Sequence, residues 1–278
     1  MRANRSRSAP LDYAERWLRD GFRVVQPSLS VHQISIDMTH ANRGLEELRR
    51  AGVHATSTHM LIRAAATALA STPNLHQIIA GSRRERPMTV DIGLSIAGET
   101  FHAPVLVIER ADQKSVTEIA EETARRAPEV RKADQRMLRV LRTWGRLVPF
   151  GFLRRALLRL LFNSTTFRRK GAGTFQVTTV PTDWALTSTF STAGVLIAGQ
   201  VQSRVVAING RPEVRPMMCL TLSADHGVWD GRAAARLLAA VKSEMELPFA
   251  ALPREQKKTD DAYAPSVAGR GTYFDLRR

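Results

Sequence analysis

Cysteine is almost absent from this 278-residue chain, which contains only Cys219. One cysteine excludes an internal disulfide framework and any site built from several cysteines, so we predict no metal site and a reducing compartment, the cytoplasm. Long apolar runs are also missing: the longest apolar region, 144–162, is interrupted by four arginines, which argues against a transmembrane helix. No apolar core follows the basic residues at the N-terminus, so we expect no secretory signal.

Acidic residues are scarce: 26 Asp and Glu face 41 Lys and Arg, a formal net charge of +15. Such an excess attracts polyanions, which include nucleic acids, anionic lipids, phosphorylated cofactors and acidic carrier proteins. An arginine-rich proteome would produce the same composition, because the arginines are scattered through the chain. No zinc finger, RNP-type strand or basic zipper accompanies the charge, so we expect no nucleic-acid partner.

Helical and strand patterns are interspersed without strict alternation, which predicts one α/β domain with a mixed sheet over residues 11–250. We expect a flexible basic tail at 1–10 and a charged tail at 251–278. Alternating residues predict a strand at 31–38, and an alanine-rich apolar pattern predicts a helix at 58–71.

A capping box, Ser115 with Glu118, predicts the start of a helix that ends near Arg126, just before Pro128. Beyond it, the pattern changes into a basic helical insert, 127–170.

The insert contains two amphipathic segments within 133–163, broken at Pro149 and Gly151. In the second segment four leucines recur at helical spacing while Arg155 and Arg159 share another face. This pattern suits a helical hairpin that packs on the domain or on a neighbouring subunit. It also suits contact with a membrane surface or an acyl chain, and the sequence leaves both open.

The sequence patterns in the C-terminal part of the domain predict several strands followed by one helix. Asn209-Gly210 predicts a tight hairpin, because a type I′ turn needs positive φ at both central positions. The strand 217–224 leads directly into His226, and a helix is predicted from Gly231. The apolar face of that helix contains Ala234, Leu237, Leu238, Val241 and Met245.

The turn between this strand and helix, Ser-Ala-Asp-His-Gly-Val-Trp-Asp-Gly, contains two chemically interesting side chains. His226 can serve there as a general base, because loops at the ends of rigid strands commonly carry reactive groups. Asp230 directly precedes the helix and can act as its N-cap. The residues of the turn alone also allow an ordinary polar turn, since no nucleophile is adjacent.

Several segments together resemble the catalytic domain of the 2-oxoacid dehydrogenase acyltransferase family, the dihydrolipoamide acyltransferases. LTLSADHGVWDGRAAARLL is similar to the family pattern SLSxDHRxxDGxxAAxFL, and GTFQVTT at 173–179 falls where the family has GTFTISN. GVLIAGQV, RPMMCLTLS and DIGLSIAGETFHAPVLVIERADQKSVTEIAEE also resemble family segments in the same order. The resemblance covers 30–125 and 171–247.

The resemblance implies the two-layer α/β sandwich of chloramphenicol acetyltransferase and its relatives, which forms trimers with sites between subunits. It implies that His226 is the base that deprotonates the acyl acceptor, and that the Thr178 hydroxyl donates to the tetrahedral oxyanion in place of the family's serine. Asp230 corresponds to an aspartate whose ion pair supports the histidine loop, with Arg16 or Arg19 as its partner. His226 and Thr178 are therefore expected to meet across a subunit boundary.

The sequence also departs from the family. We find no lipoyl domain, no peripheral-subunit-binding segment and no linker rich in alanine and proline. Gly227 replaces the arginine that follows the motif histidine, Thr100-Phe101 replaces Gly-Leu, and Ala193-Gly194 replaces Pro-Glu. The insert replaces a short loop.

From these features we expect a stand-alone acyltransferase. An acyl-coenzyme A or acyl carrier protein thioester would be the co-substrate, with no covalently bound cofactor. The alternatives are a dihydrolipoamide acyltransferase that works with a separate lipoyl domain, and a non-catalytic trimeric scaffold.

Overall fold

A computed structural model describes residues 11–25, 27–80, 83–98, 103–189 and 192–247. The two predicted tails and the Thr100-Phe101 departure lie outside these residues. The described helices are α1 Tyr13–Val24, α2 Thr39–Arg50, α3 Ser57–Ser71, α4 Val116–Trp144, α5 Gly151–Phe162, α6 Thr165–Ala172 and α7 Gly231–Glu246. The described strands are β1 Leu29–Asp37, β2 Ile78–Ala80, β3 Arg83–Glu85, β4 Ile92–Ser95, β5 Val105–Ile108, β6 Phe175–Thr179, β7 Gly194–Ala198, β8 Gln202–Ile208 and β9 Arg211–Asp225.

The main sheet is mixed, as predicted. Its strand order is β1-β9-β7-β6-β4-β5, and β8 pairs with the first half of the long strand β9. β6 lies parallel to both β4 and β7, whereas β9 runs antiparallel to β7 and β1. β6 and β9 therefore point in opposite directions, and this determines where the candidate site residues lie.

The hydrophobic core lies between one face of this sheet and the helices α3 and α7. Alanines occupy much of the buried side of α3, so the helix approaches its neighbours closely. The predicted apolar face of α7 is confirmed, because all five of its named residues are buried. The two-layer α/β architecture follows from this burial.

Two local predictions are confirmed by backbone geometry. Asn209 and Gly210 have φ values of 51° and 78°, the positive angles that the tight turn between β8 and β9 requires. The Ser115 side chain accepts a hydrogen bond from the Glu118 N–H, and the Glu118 carboxylate accepts one from the Ser115 N–H.

The predicted helix end near Arg126 is wrong. α4 is 29 residues long, ends at Trp144 and contains Pro128 in its interior. A proline inside a helix removes one backbone hydrogen bond and crowds the preceding turn. Here Ala127 and Leu138 are buried on the same helix as Ile119, so burial on both sides of the proline outweighs the lost bond.

The basic insert is helical, and its break near Pro149 and Gly151 is confirmed because α5 begins at Gly151. α1 packs against both α4 and α5, so the insert helices are bridged by the N-terminal helix. α5 turns Arg154 inward, where its Nε lies 2.9 Å from Oδ2 of the buried Asp20. The leucine face of α5 is exposed to solvent. Among the described residues, no helix combines the length and apolar character that a bilayer crossing needs.

Burial of His76 makes stability depend on pH. The imidazole is 5% exposed, and desolvation, which outweighs the attraction of Asp91, lowers its pKa to about 4 from an ordinary value of 6.5. The folded protein therefore keeps His76 neutral, and the stability that this provides is present above pH 6.5 and lost as the pH falls towards 4.

We expect the unfolding free energy to fall with pH more steeply in wild type than in His76→Leu. When the pH is lowered from about 7 to about 4.5, the fall should be about 2 kcal/mol larger in wild type. Urea denaturation at both pH values measures this, and parallel losses would contradict it.

Candidate active site

His226 lies in the turn that follows β9, with an exposed side chain and a tightly held backbone. Its N–H donates to the Ser28 carbonyl at 2.6 Å, which ties the turn to the start of β1. Asp225 organises the rest: its N–H donates to the Ala193 carbonyl at 2.9 Å, and its carboxylate accepts from the Gly227 N–H at 2.9 Å. Its carbonyl accepts from Val228 and Trp229. The imidazole is thus presented to solvent from a rigid loop.

Trp229 anchors the turn to the core. Its side chain is 2% exposed, its indole N–H donates to the Leu75 carbonyl at 2.9 Å, and its ring centroid lies 5.9 Å from that of Phe175. A Cβ on Gly194 would lie 2.8 Å from the Trp229 ring and 3.0 Å from Phe175. The glycine in the Ala193-Gly194 departure therefore has a physical reason, since it leaves room for the two rings.

Gly227 also has close surroundings. A Cβ at this position would lie 3.2 Å from the Asp225 carboxylate, closer than ordinary van der Waals contact. A side chain at this position would therefore crowd the Asp225 carboxylate that accepts the Gly227 hydrogen bond.

Asp230 acts as the N-cap of α7: its Oδ1 accepts from the Ala233 N–H at 2.7 Å. No ion pair between Asp230 and an arginine occurs within the described part of the chain. Arg16 donates from Nε to the Leu11 carbonyl and lies over the Tyr13 ring instead, on a helix that packs against the insert. The capping role is confirmed, and the ion pair of Asp230 with Arg16 or Arg19 stays a prediction.

Thr178 lies near the C-terminal end of β6, half-buried and paired with Ile197 of β7. Within the described residues, its hydroxyl has no hydrogen-bond partner. The next hydroxyl, on Thr179, lies 2.7 Å from that of Thr58. A free donor at a strand end is what an oxyanion contact needs.

One chain does not bring His226 and Thr178 together. Thr178 is in register with Ile197, which is in register with Thr221, and His226 lies five residues beyond Thr221 along β9. Strand geometry then places the two Cα atoms about 19 Å apart, at opposite ends of the strands of the sheet. The separation follows from the opposite directions of β6 and β9.

One arginine of the insert interacts electrostatically with the histidine turn, which the sequence did not predict. α6 brings Arg168 near Asp225: burial lowers the pKa of the guanidinium, and the negative charge of Asp225 partly offsets that shift. Arg168 also donates from Nε to the Phe162 carbonyl. No sequence signal could have found this electrostatic interaction, because the two residues are far apart along the chain. Trp229 was visible within the motif, but only its burial reveals its anchoring role.

A cleft of about 630 Å³ lies between α4, α6 and β5, lined by charged residues that include Asp91, Arg126 and Arg169. His226, Thr178 and Asp230 do not line it. Across the described residues, no three His, Cys, Asp or Glu side chains are placed to hold a metal ion.

The chain is similar to known proteins over the segment that contains the histidine turn. A family model described as 2-oxoacid dehydrogenases acyltransferase (catalytic domain) matches residues 26–138 and 190–252. His226 and Asp230 lie inside the match and Thr178 lies outside it. A Rickettsia bellii dihydrolipoyllysine-residue succinyltransferase component of the 2-oxoglutarate dehydrogenase complex is 43% identical over 56 residues. That stretch is 20% of this chain and only 14% of the relative.

Solved structures share the fold. A probable dihydrolipoamide acetyltransferase from Listeria monocytogenes superposes with a TM-score of 0.68 at 22% identity, over 88% of this chain and 96% of that one. The cubic core of a pyruvate dehydrogenase multienzyme complex superposes with a TM-score of 0.64 at 19% identity, over 88% and 93%. The predicted fold class is confirmed. Because the family model covers well over half of the chain, the protein belongs to the 2-oxoacid dehydrogenase acyltransferase catalytic-domain family.

Proposed function

We propose that this protein is a stand-alone acyltransferase that moves an acyl group from a coenzyme A or acyl carrier protein thioester to a hydroxyl, amine or thiol acceptor. The observation that carries the proposal is the exposed His226 on an anchored turn, inside the segment that the family model matches. The net charge of +15 suits both donors, since each is anionic.

The proposed reaction begins when the His226 imidazole removes a proton from the acceptor. The acceptor atom attacks the thioester carbonyl carbon, and the carbonyl oxygen becomes an oxyanion. The hydroxyl of Thr178 of the partner subunit donates a hydrogen bond to that oxygen, a contact worth about 3 kcal/mol in comparable sites. The carbon–sulfur bond then breaks, and the proton on His226 passes to the departing thiolate. Asp230 supports the base by capping α7 directly behind the turn.

We propose that the active assembly is a trimer or a multiple of three. The base and the oxyanion donor lie at opposite ends of the sheet's strands in one chain. A closed ring of copies lets one copy's His226 face the next copy's Thr178. A relative of the same fold forms a cubic core, whose corners are threefold axes.

Subunit mixing tests the shared site. His226→Ala and Thr178→Val chains, each impaired alone, are co-expressed with different tags and purified as mixed oligomers. In a randomly mixed trimer about one quarter of the sites combine an intact His226 with an intact Thr178, so about one quarter of wild-type activity should return. Thiol release from the acyl donor measures it. If activity stays at the level of the single variants, the site does not form between chains in this way.

A dihydrolipoamide acyltransferase that uses a separate lipoyl domain is the second candidate, and the name of the Rickettsia bellii relative favours it. Acyl transfer from acetyl-coenzyme A to free dihydrolipoamide, compared with transfer to simple amines and alcohols, distinguishes the two. Gly227, which replaces the arginine of the family pattern, supports an unusual acceptor.

A further inference from the structure

Helix α5 is oriented with its apolar side outward. Its inward stripe consists of Arg154, Leu158 and Phe162, whereas Phe152 and Leu160 on the opposite side are 63% and 70% exposed. A surface helix ordinarily buries its apolar stripe and exposes its charged residues. The burial of Arg154 and the exposure of Phe152 and Leu160 therefore need a physical cause, and they suggest a partner for the exposed side.

The cause of the orientation is a buried polar cluster around Arg154. Its Nε lies 2.9 Å from Oδ2 of Asp20, and both side chains are less than 10% exposed. One of its terminal nitrogens donates to the carbonyls of Val148 and Pro149 at 3.1 and 2.7 Å. Arg155 of the same helix also donates to Asp20, with 3.1 Å between its guanidinium nitrogen and Oδ1. Rotating α5 to bury its leucines would break this cluster and leave the buried Asp20 without the two arginines that pair with it. The outward apolar side is thus held in place.

The exposed apolar residues of α5 continue into the preceding turn. We name this surface the apolar face, and it consists of Leu147, Phe150, Phe152, Leu153, Leu157 and Leu160, each between 42% and 70% exposed. The Phe150 and Phe152 rings are neighbours, with centroids 5.8 Å apart. Soluble proteins rarely expose large aromatic and leucine side chains side by side unless the patch binds something.

The charge around the apolar face selects the partner. Between Asp134 and Asp183 the chain has ten Lys and Arg residues and no Asp or Glu. Arg146 and Arg159 border the face, both are exposed, and within the described residues neither makes an ion pair. An apolar stripe bordered by arginines matches the interface of an anionic bilayer, where the apolar groups enter the acyl boundary and the cations meet lipid phosphates.

We propose that the apolar face docks the protein onto an anionic membrane surface, with α5 lying in the plane of the interface. A second copy of the chain fits less well, because two such faces would place like-charged arginines against each other.

Vesicle flotation tests this with phosphatidylcholine vesicles and with phosphatidylcholine vesicles that contain phosphatidylglycerol. We expect wild type to bind only the second kind. Phe152→Ser combined with Leu160→Ser should weaken that binding about tenfold or more, because two side chains leave the acyl boundary. Arg146→Gln combined with Arg159→Gln should weaken it by a similar factor, since each cation near an anionic surface contributes.

A matched control removes apolar side chains that are equally accessible elsewhere. Met88 and Trp184 are 98% and 53% exposed and lie outside the insert, so Met88→Ser combined with Trp184→Ser should keep full binding. Every substituted residue is exposed, so we expect all variants to fold. Unchanged thermal unfolding temperatures will show this. The proposal is overturned if wild type binds neither kind of vesicle, or if the Met88/Trp184 control loses as much binding as the Phe152/Leu160 variant. It is also overturned if the Phe152/Leu160 substitutions change the oligomeric state and wild type does not bind vesicles.

Discussion

Replacing His226 by alanine should lower kcat about 10³-fold while leaving the fold intact. The imidazole is exposed and makes no hydrogen bond to any residue that the structure describes. The turn is held instead by hydrogen bonds from the backbone N–H groups of His226, Gly227, Val228 and Trp229. The loss should therefore appear in the chemical step and not in stability. Thiol release from an acyl-coenzyme A donor, under saturating donor and acceptor, measures it.

The matched control is His54→Ala, an exposed histidine in the loop between α2 and α3. It should keep wild-type activity, which separates the loss of a base from the loss of any surface imidazole. Activity that survives in the His226 variant with every thioester tested would remove the proposed mechanism. Circular dichroism of both variants should match wild type.

Replacing Trp229 by alanine should cost about 3–5 kcal/mol of unfolding free energy, as removal of a large buried side chain does. The side chain is 2% exposed, packs on Phe175 and donates to the Leu75 carbonyl, so the variant leaves a cavity and an unpaired acceptor. Because Trp229 anchors the turn that carries His226, kcat should fall as well. Urea denaturation and the thiol-release assay measure the two effects.

Trp184→Ala provides the control, because Trp184 is 53% exposed. Its unfolding free energy should stay within about 0.5 kcal/mol of wild type. Equal destabilisation by the two substitutions would contradict the anchoring role of Trp229.

Local sequence patterns predicted much of the architecture. The alternation in β1 and β9, the alanine-rich stripe of α3 and the Asn209-Gly210 turn all depend on neighbours in the chain, so period and turn chemistry suffice to find them. The N-cap role of Asp230 is local for the same reason. The proposed roles of His226 and Thr178 came from the resemblance of several ordered segments to the family, since neither residue has a distinctive local pattern.

By itself, the sequence determined the mixed α/β class, the family and the identity of the candidate base, because these depend on local periodicity and on motifs that are contiguous in the chain. Only the tertiary structure decided that α4 continues through Pro128 and that α5 faces outward, since distant burial and the Asp20–Arg154 pair outweigh local preference. The tertiary structure also placed His226 and Thr178 at opposite ends of the sheet's strands. That separation comes from strand direction, which is set by pairing between segments far apart in sequence.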